Sequence, residues 1–127
     1  MKKGGTRMQV PTESEEQQAL FSWVQMQRGK YPELALLYHI PNGGSRSKSE
    51  AGRFKAEGVK AGVPDLCLPV ARGEFHGLYI EMKRIKGGKT SSEQEGWIAA
   101  LTAQGYYVEV CPGWERASEA LLWYLGQ

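Results

Sequence analysis

Two apolar runs with strand character, Gly77-Leu-Tyr-Ile-Glu-Met-Lys83 and Tyr106-Tyr-Val-Glu-Val110, flank a single helix-length segment. That order constrains the fold more than any other feature of the chain. A strand–helix–strand unit predicts two parallel strands and a right-handed crossover. The helix between them starts from Ser91 or Ser92, carries Trp97, Ile98 and Leu101, and stops at Gly105. Upstream, Leu66-Cys-Leu-Pro-Val70 reads as another strand. The short loop from Ala71 to His76 joins it to 77–83, which predicts a hairpin.

Helices flank this sheet on both sides in sequence. Thr12 with Glu15 three residues later is a capping box, opening a helix over 12–29. Its apolar members are Leu20, Phe21, Val24 and Met26, and Gly29 is its stop. Leu34 to Ile40 reads as a short strand, or as a helix end passing into one, ending at Pro41. Asn42-Gly43-Gly44 is a turn, and Ser45 to about Glu57 a polar helix with Phe54 as its apolar contact. Gly113 to Leu125 is a last amphipathic helix, with Ala117, Leu121, Leu122 and Leu125 on one face. The order predicts a three-layer α/β sandwich around a four-stranded mixed sheet. Trp97 and Trp123 are expected in its core, and His39 as a satisfied buried histidine.

At 127 residues the chain has room for one domain. No apolar run approaches the ~18 residues of a membrane helix, so no membrane partner is expected. The basic N-terminus lacks the apolar stretch of a secretory signal, which leaves a cytoplasmic location as the expectation. Residues 1–11, with Gly4-Gly5 and scattered charge, are expected to be a flexible tail ahead of a domain over 12–127. Cys67 and Cys111 fit no zinc spacing and read as buried free thiols. The net charge is only +2, but the basic residues cluster. Residues 42–60 hold Arg46, Lys48, Arg53, Lys55 and Lys60 against two Glu, and 82–90 hold four bases and no acid. Such stretches suit a polyanion on one face, or are simply solvated loops.

The chemistry concentrates around the only Asp of the chain, Asp65, and the run Ile80-Glu81-Met82-Lys83. If the two strands pair, both carboxylates meet at one end of the sheet. Lys83 shares a face with Glu81 by period-two alternation. Hard divalent cations take oxygen ligands, here Asp65, Glu81 and the backbone carbonyl of Met82. Lys83 is then placed to orient or deprotonate a water, or to stabilise developing negative charge. The alternative is a solvated Glu81–Lys83 salt bridge, but an acid inside Leu78-Tyr-Ile-x-Met needs a partner or a metal. Glu13, Gln17, Leu20 and Val24 fall on one helical face, so Glu13 can point at the same sheet end. Glu16 shares part of that face and is the second choice, while Glu15 is occupied by capping.

Pro64-Asp65 followed by Glu81-x-Lys83 matches the PD-(D/E)xK nuclease signature. Its surroundings make the match specific. They are Glu13 with Gln17, His39-Ile-Pro-Asn-Gly-Gly44 with Arg46, the Gly58 to Leu66 run, and Ser91-Ser-Glu-Gln94 with Trp97 and Leu101. The chain resembles the VRR-Nuc (virus-type replication-repair nuclease) family from about residue 13 to 125. The resemblance implies a restriction-endonuclease-like fold and Mg²⁺- or Mn²⁺-dependent hydrolysis of DNA. It implies Asp65, Glu81 and Glu13 as metal acids, Lys83 as the catalytic lysine, and Gln94 as a further active-site residue. Small stand-alone members resemble Holliday-junction resolvases, which implies a homodimer acting on branched DNA. A flap, nicking or general DNA nuclease is the first alternative and a non-catalytic DNA-binding module the second. In either DNA reading Asn42, Gly43, Gly44, Arg46, Lys48, Arg53, Lys55, Lys60, Lys86 and Lys89 are the expected DNA contacts, through backbone amides and phosphate-seeking cations.

Overall fold

The computed structural model describes residues 9–41 and 47–127. The elements are α1 (Glu13–Gln27), a 3₁₀ helix (Pro32–Leu36), β1 (Tyr38–His39), α2 (Lys48–Ala56), β2 (Leu66–Leu68), β3 (Leu78–Lys83), α3 (Ser92–Ala103), β4 (Tyr107–Pro112) and α4 (Trp114–Leu125). Three of the helices start from capping boxes, Thr12/Glu15, Ser47/Glu50 and Ser91/Gln94. In each the side chain at the cap takes an otherwise unpaired amide of the first turn and the third residue returns the bond. The ambiguous run 34–40 resolves as both readings in series, a 3₁₀ turn followed by two residues of strand.

The sheet order is β1-β2-β3-β4. β1 and β3 are antiparallel to β2, with Leu66 opposite Ile80 and Leu68 opposite Leu78. β4 is parallel to β3, as the strand–helix–strand unit predicts. Strand alternation sorts β3 into two faces. Leu78, Ile80 and Met82 are buried against Leu20 and Val24 of α1 and Ala117, Leu121 and Tyr124 of α4. Each large aliphatic side chain so buried contributes about 1.5–3 kcal/mol. The Tyr124 hydroxyl, inside this core, donates to the Val70 carbonyl at 2.6 Å. Tyr79, Glu81 and Lys83 occupy the other face, toward α3, which packs on β4. The two cysteines are free and buried, Cys67 beside Tyr38 and Tyr79 in register and Cys111 beside Met82.

Several expectations about packing fail. Met26 is 76% exposed, because Leu20 and Val24 alone define the buried stripe of α1. Trp97 is only half-buried, since no residue of α3 is fully covered. Trp123 is 48% exposed and lies against Tyr107 on the outer side of α4. The core aromatic of α4 is Tyr124, one residue on, where the helix turns inward. His39 is exposed on the edge strand rather than buried.

Candidate active site

The site is built where β2 runs out. Continuing the β2–β3 register one step beyond Leu66 sets Asp65 opposite Glu81, and a further step sets Pro64 opposite Met82. In an extended strand the N–H and C=O of one residue face the same neighbour. Proline has no N–H to offer. The missing donor leaves the Met82 carbonyl unmatched, while the Met82 N–H goes to the Asp65 carboxylate, with Oδ2 accepting at 2.7 Å. The Met82 carbonyl, aimed the same way, has a proline opposite it where a ladder donor would stand. The Asp65 main chain is held from the other side. Its carbonyl accepts from the Ile40 N–H at 2.7 Å and from His39 Nδ1 at 2.9 Å.

Glu81 is buried with 1% exposure, and its two oxygens have different surroundings. Oε2 accepts from Gln94 Nε2 at 2.9 Å and lies 3.5 Å from Lys83 Nζ. Oε1 is buried without a hydrogen-bond partner. Burial first, and the nearby Asp65 charge second, push the Glu81 carboxyl up to about 8, with Lys83 opposing. Burial also raises Asp65, against the lowering effect of the Met82 N–H. The two acids thus share one low-dielectric position that disfavours two negative charges together.

Gln94 ties the site to α3. Its Oε1 accepts from Lys83 Nζ at 2.9 Å and from the Ser91 N–H at 2.8 Å, while its Nε2 serves Glu81. The capping box that starts α3 therefore fixes the side chain that bridges Glu81 and Lys83. The motif Ser91-x-x-Gln94 was the visible signal, but it read only as a helix start with a family-derived role attached.

Glu13, at the start of α1, completes the cluster. Ligand oxygens of Glu13, Asp65 and Glu81 all lie within 4.8 Å of one another. Glu16 goes elsewhere. Its Oε1 accepts from the Trp114 N–H at 3.0 Å, at the first turn of α4, and its Oε2 is buried without a partner. The donor set fits a hard cation, because it combines oxygen-only ligands with an orphaned buried carboxylate oxygen.

Of the expected nucleic-acid contacts, Lys48, Arg53, Lys55 and Lys60 are exposed on α2 and the loop after it, and Lys86 and Lys89 on the loop after β3. Arg53 lies over the Phe54 ring. Asn42, Gly43, Gly44 and Arg46 lie outside the described residues, as do Lys2, Lys3 and Arg7.

A mixed four-stranded sheet between helices, with acids gathered at the end of the central hairpin and a lysine two residues beyond, defines a nuclease-type α/β fold. A VRR-NUC domain matches residues 11–115, and the chain belongs to that family. A solved structure described as a VRR_NUC domain protein superposes with a TM-score of 0.81 at 32% identity, covering 94% of this chain and 92% of that one. No curated protein matches the sequence significantly. No helix among the described residues is long and apolar enough to cross a membrane.

Proposed function

We propose that the chain is a divalent-metal-dependent DNA endonuclease that hydrolyses phosphodiester bonds, with branched DNA such as a four-way junction as substrate. One observation carries the reading. Three carboxylates from three separate elements bring oxygens within 4.8 Å, and one of them, Glu81, keeps an unpartnered buried oxygen. A structural salt bridge gives no reason for three acids to converge, and the orphan oxygen lies among them.

In this reading Asp65, Glu81, Glu13 and the Met82 carbonyl hold Mg²⁺ or Mn²⁺. The bound ion supplies Lewis acidity to the phosphate and lowers the pKa of a coordinated water. Lys83 is the other half of the chemistry. Its ammonium donates to Gln94 at 2.9 Å and pairs with Glu81 at 3.5 Å, with donor capacity left for a water or a phosphate oxygen. Gln94 bridges Lys83 and Glu81, fixing the orientation of both groups. Exposed Lys48, Arg53, Lys55 and Lys60, with Lys86 and Lys89, contact the DNA backbone, which makes binding salt-sensitive and largely indifferent to sequence. Asn42, Gly43, Gly44 and Arg46 are proposed as further DNA contacts from the sequence alone. A two-fold homodimer presents two such sites to a near-two-fold junction.

The test uses labelled four-way junction, flap and plain duplex DNA with Mg²⁺, Mn²⁺ or EDTA, beside Asp65→Ala. Metal-dependent paired nicks in the junction, absent from the variant, support the reading. Cutting of flaps or duplex alone retains the site and discards the junction substrate. Binding without cutting in any metal leaves a DNA-binding module.

A further inference from the structure

The face of the sheet that carries Glu81 also carries an aromatic row. Tyr38, Cys67 and Tyr79 are in register across β1, β2 and β3. The row lies two residues along the strands from Asp65 and Glu81, which is ~7 Å. Tyr38 is 49% exposed on the edge strand. Tyr79 is partly exposed and braced edge-on by Tyr106, with ring centroids 5.3 Å apart at 76°. Tyr106 is braced in turn by His76. Cys67, small and 5% exposed, is the floor between the two tyrosines. At the far end of β1, Lys60 lines a cleft of about 460 Å³ with Ile40 and Trp97. One exposed and one partly exposed tyrosine thus stand two residues along the strands from the acids, and Lys60 lines the cleft at the end of β1.

We propose that Tyr38 and Tyr79 form a stacking platform for an unpaired base adjoining the phosphate at the Glu13/Asp65/Glu81 cluster. The proposal rests on the nuclease reading and adds to it a reason for structure selectivity. The offset between the aromatic row and the acids is about the reach of one nucleotide from its phosphate to its base. Aromatic faces accept any base, so the contact is indifferent to sequence. In an intact duplex both faces of a base are already stacked on its neighbours, and such a base reaches the tyrosines only by leaving the helix. A strand left unpaired at a flap, a fork or an opened branch point does so without that cost. The occupant follows from continuity: the row leads directly into the acid cluster on one sheet face, and Lys60 lines the cleft at the end of β1.

The experiment measures binding to a single-stranded oligonucleotide and to a junction in EDTA, so that nothing is cut. A single abasic site is walked along the unpaired segment. Wild-type protein is expected to lose affinity about tenfold at one position and to be nearly indifferent elsewhere, the size of one base–aromatic stack. Tyr38→Leu should weaken binding to the intact oligonucleotide by a similar factor and no longer sense the abasic site. Tyr38→Trp should restore both. Tyr79→Leu provides a second probe, judged only if its thermal melt matches wild type. Equal losses on intact and abasic DNA, or no loss, overturn the platform. So does a change of oligomeric mass in Tyr38→Leu without abasic discrimination, which would make the patch a contact between protein copies. A wild-type protein that cuts DNA with Mg²⁺ but has no abasic-sensitive position loses the platform and keeps the nuclease. One that neither binds nor cuts loses both.

Discussion

Glu81 and Glu16 make an instructive pair. Both are carboxylates in the interior of the same small domain, 1% and 3% exposed. In both, one oxygen accepts a hydrogen bond and the other is buried without a partner. Burial and incomplete pairing alone do not distinguish them. Their company does. Glu81 lies beside Asp65, Glu13 and Lys83 at the open end of β2. Glu16 faces the amide of Trp114, the positive end of α4, where an anion is favoured by the helix dipole. The same side chain in the same state of burial is thus a candidate ligand at one place and a helix cap at the other.

The largest expected difference is in cleavage. Glu81→Gln should abolish metal-dependent nicking while raising the melting temperature of the metal-free protein, because a buried, poorly paired acid is removed. Glu16→Gln should cut at nearly the wild-type rate, since its amide oxygen still accepts from Trp114. Nicking assays and thermal melts on the two variants decide this. Comparable loss of activity in the Glu16 variant would erase the distinction.

Lys83→Met should lower the cleavage rate by about 10²–10⁴-fold, as expected for a lost proton-handling group. Gln94→Ala should cost less, about 10–100-fold, the usual range for a group that orients an active-site residue. Single-turnover kinetics order the two. If Gln94→Ala were the more damaging, Gln94 would touch the reacting atoms itself.

pH offers a third contrast. The Glu81 carboxyl is raised from 4.5 to about 8 in the folded chain. Between those values the native state holds a proton that the unfolded chain has released. Stability of the metal-free protein should therefore fall as pH rises through this window, and Mn²⁺ affinity should rise as the proton is displaced. Melting curves from pH 5 to pH 9, with and without Mn²⁺, measure both, and Glu81→Gln should flatten the slope. An unchanged slope in that variant would move the titration to another group.

The smallest effect is on folding alone. Glu16→Ala removes the cap of α4 and should cost about 0.5–2 kcal/mol, seen as a drop of a few degrees in the melting temperature. No loss of stability would mean that water replaces the carboxylate at Trp114.

The sequence made these two acids hard to separate. Glu13 and Glu16 lie three apart, about 60° round the helix and one rung along, so both flank the stripe of Leu20 and Val24. Which one reaches the acids depends on where α4 docks, and that is a tertiary fact. Local signals fared better. The capping box at Thr12, the helix start at Ser91 or Ser92 and the parallel β3–β4 pair were legible because each is set by neighbours in the chain. Trp97, Trp123 and His39 were misplaced because hydrophobic periodicity marks a face without saying how deeply it is covered. The use of Pro64 could have been read from its spacing to Met82, given the hairpin register. The aromatic row could not, since Tyr38 and Tyr79 are 41 residues apart and meet only through the sheet.

The packing of α1 on α4 also bears on the order in which the protein matures during synthesis. A nascent chain extended only to Gly113 already contains Glu13, Asp65, Glu81, Lys83 and Gln94. It lacks the helix against which α1 docks and whose first amide Glu16 anchors. A chain stopped there carries all five side chains yet lacks one of the two surfaces, β3 and α4, that hold α1 and with it Glu13 in place.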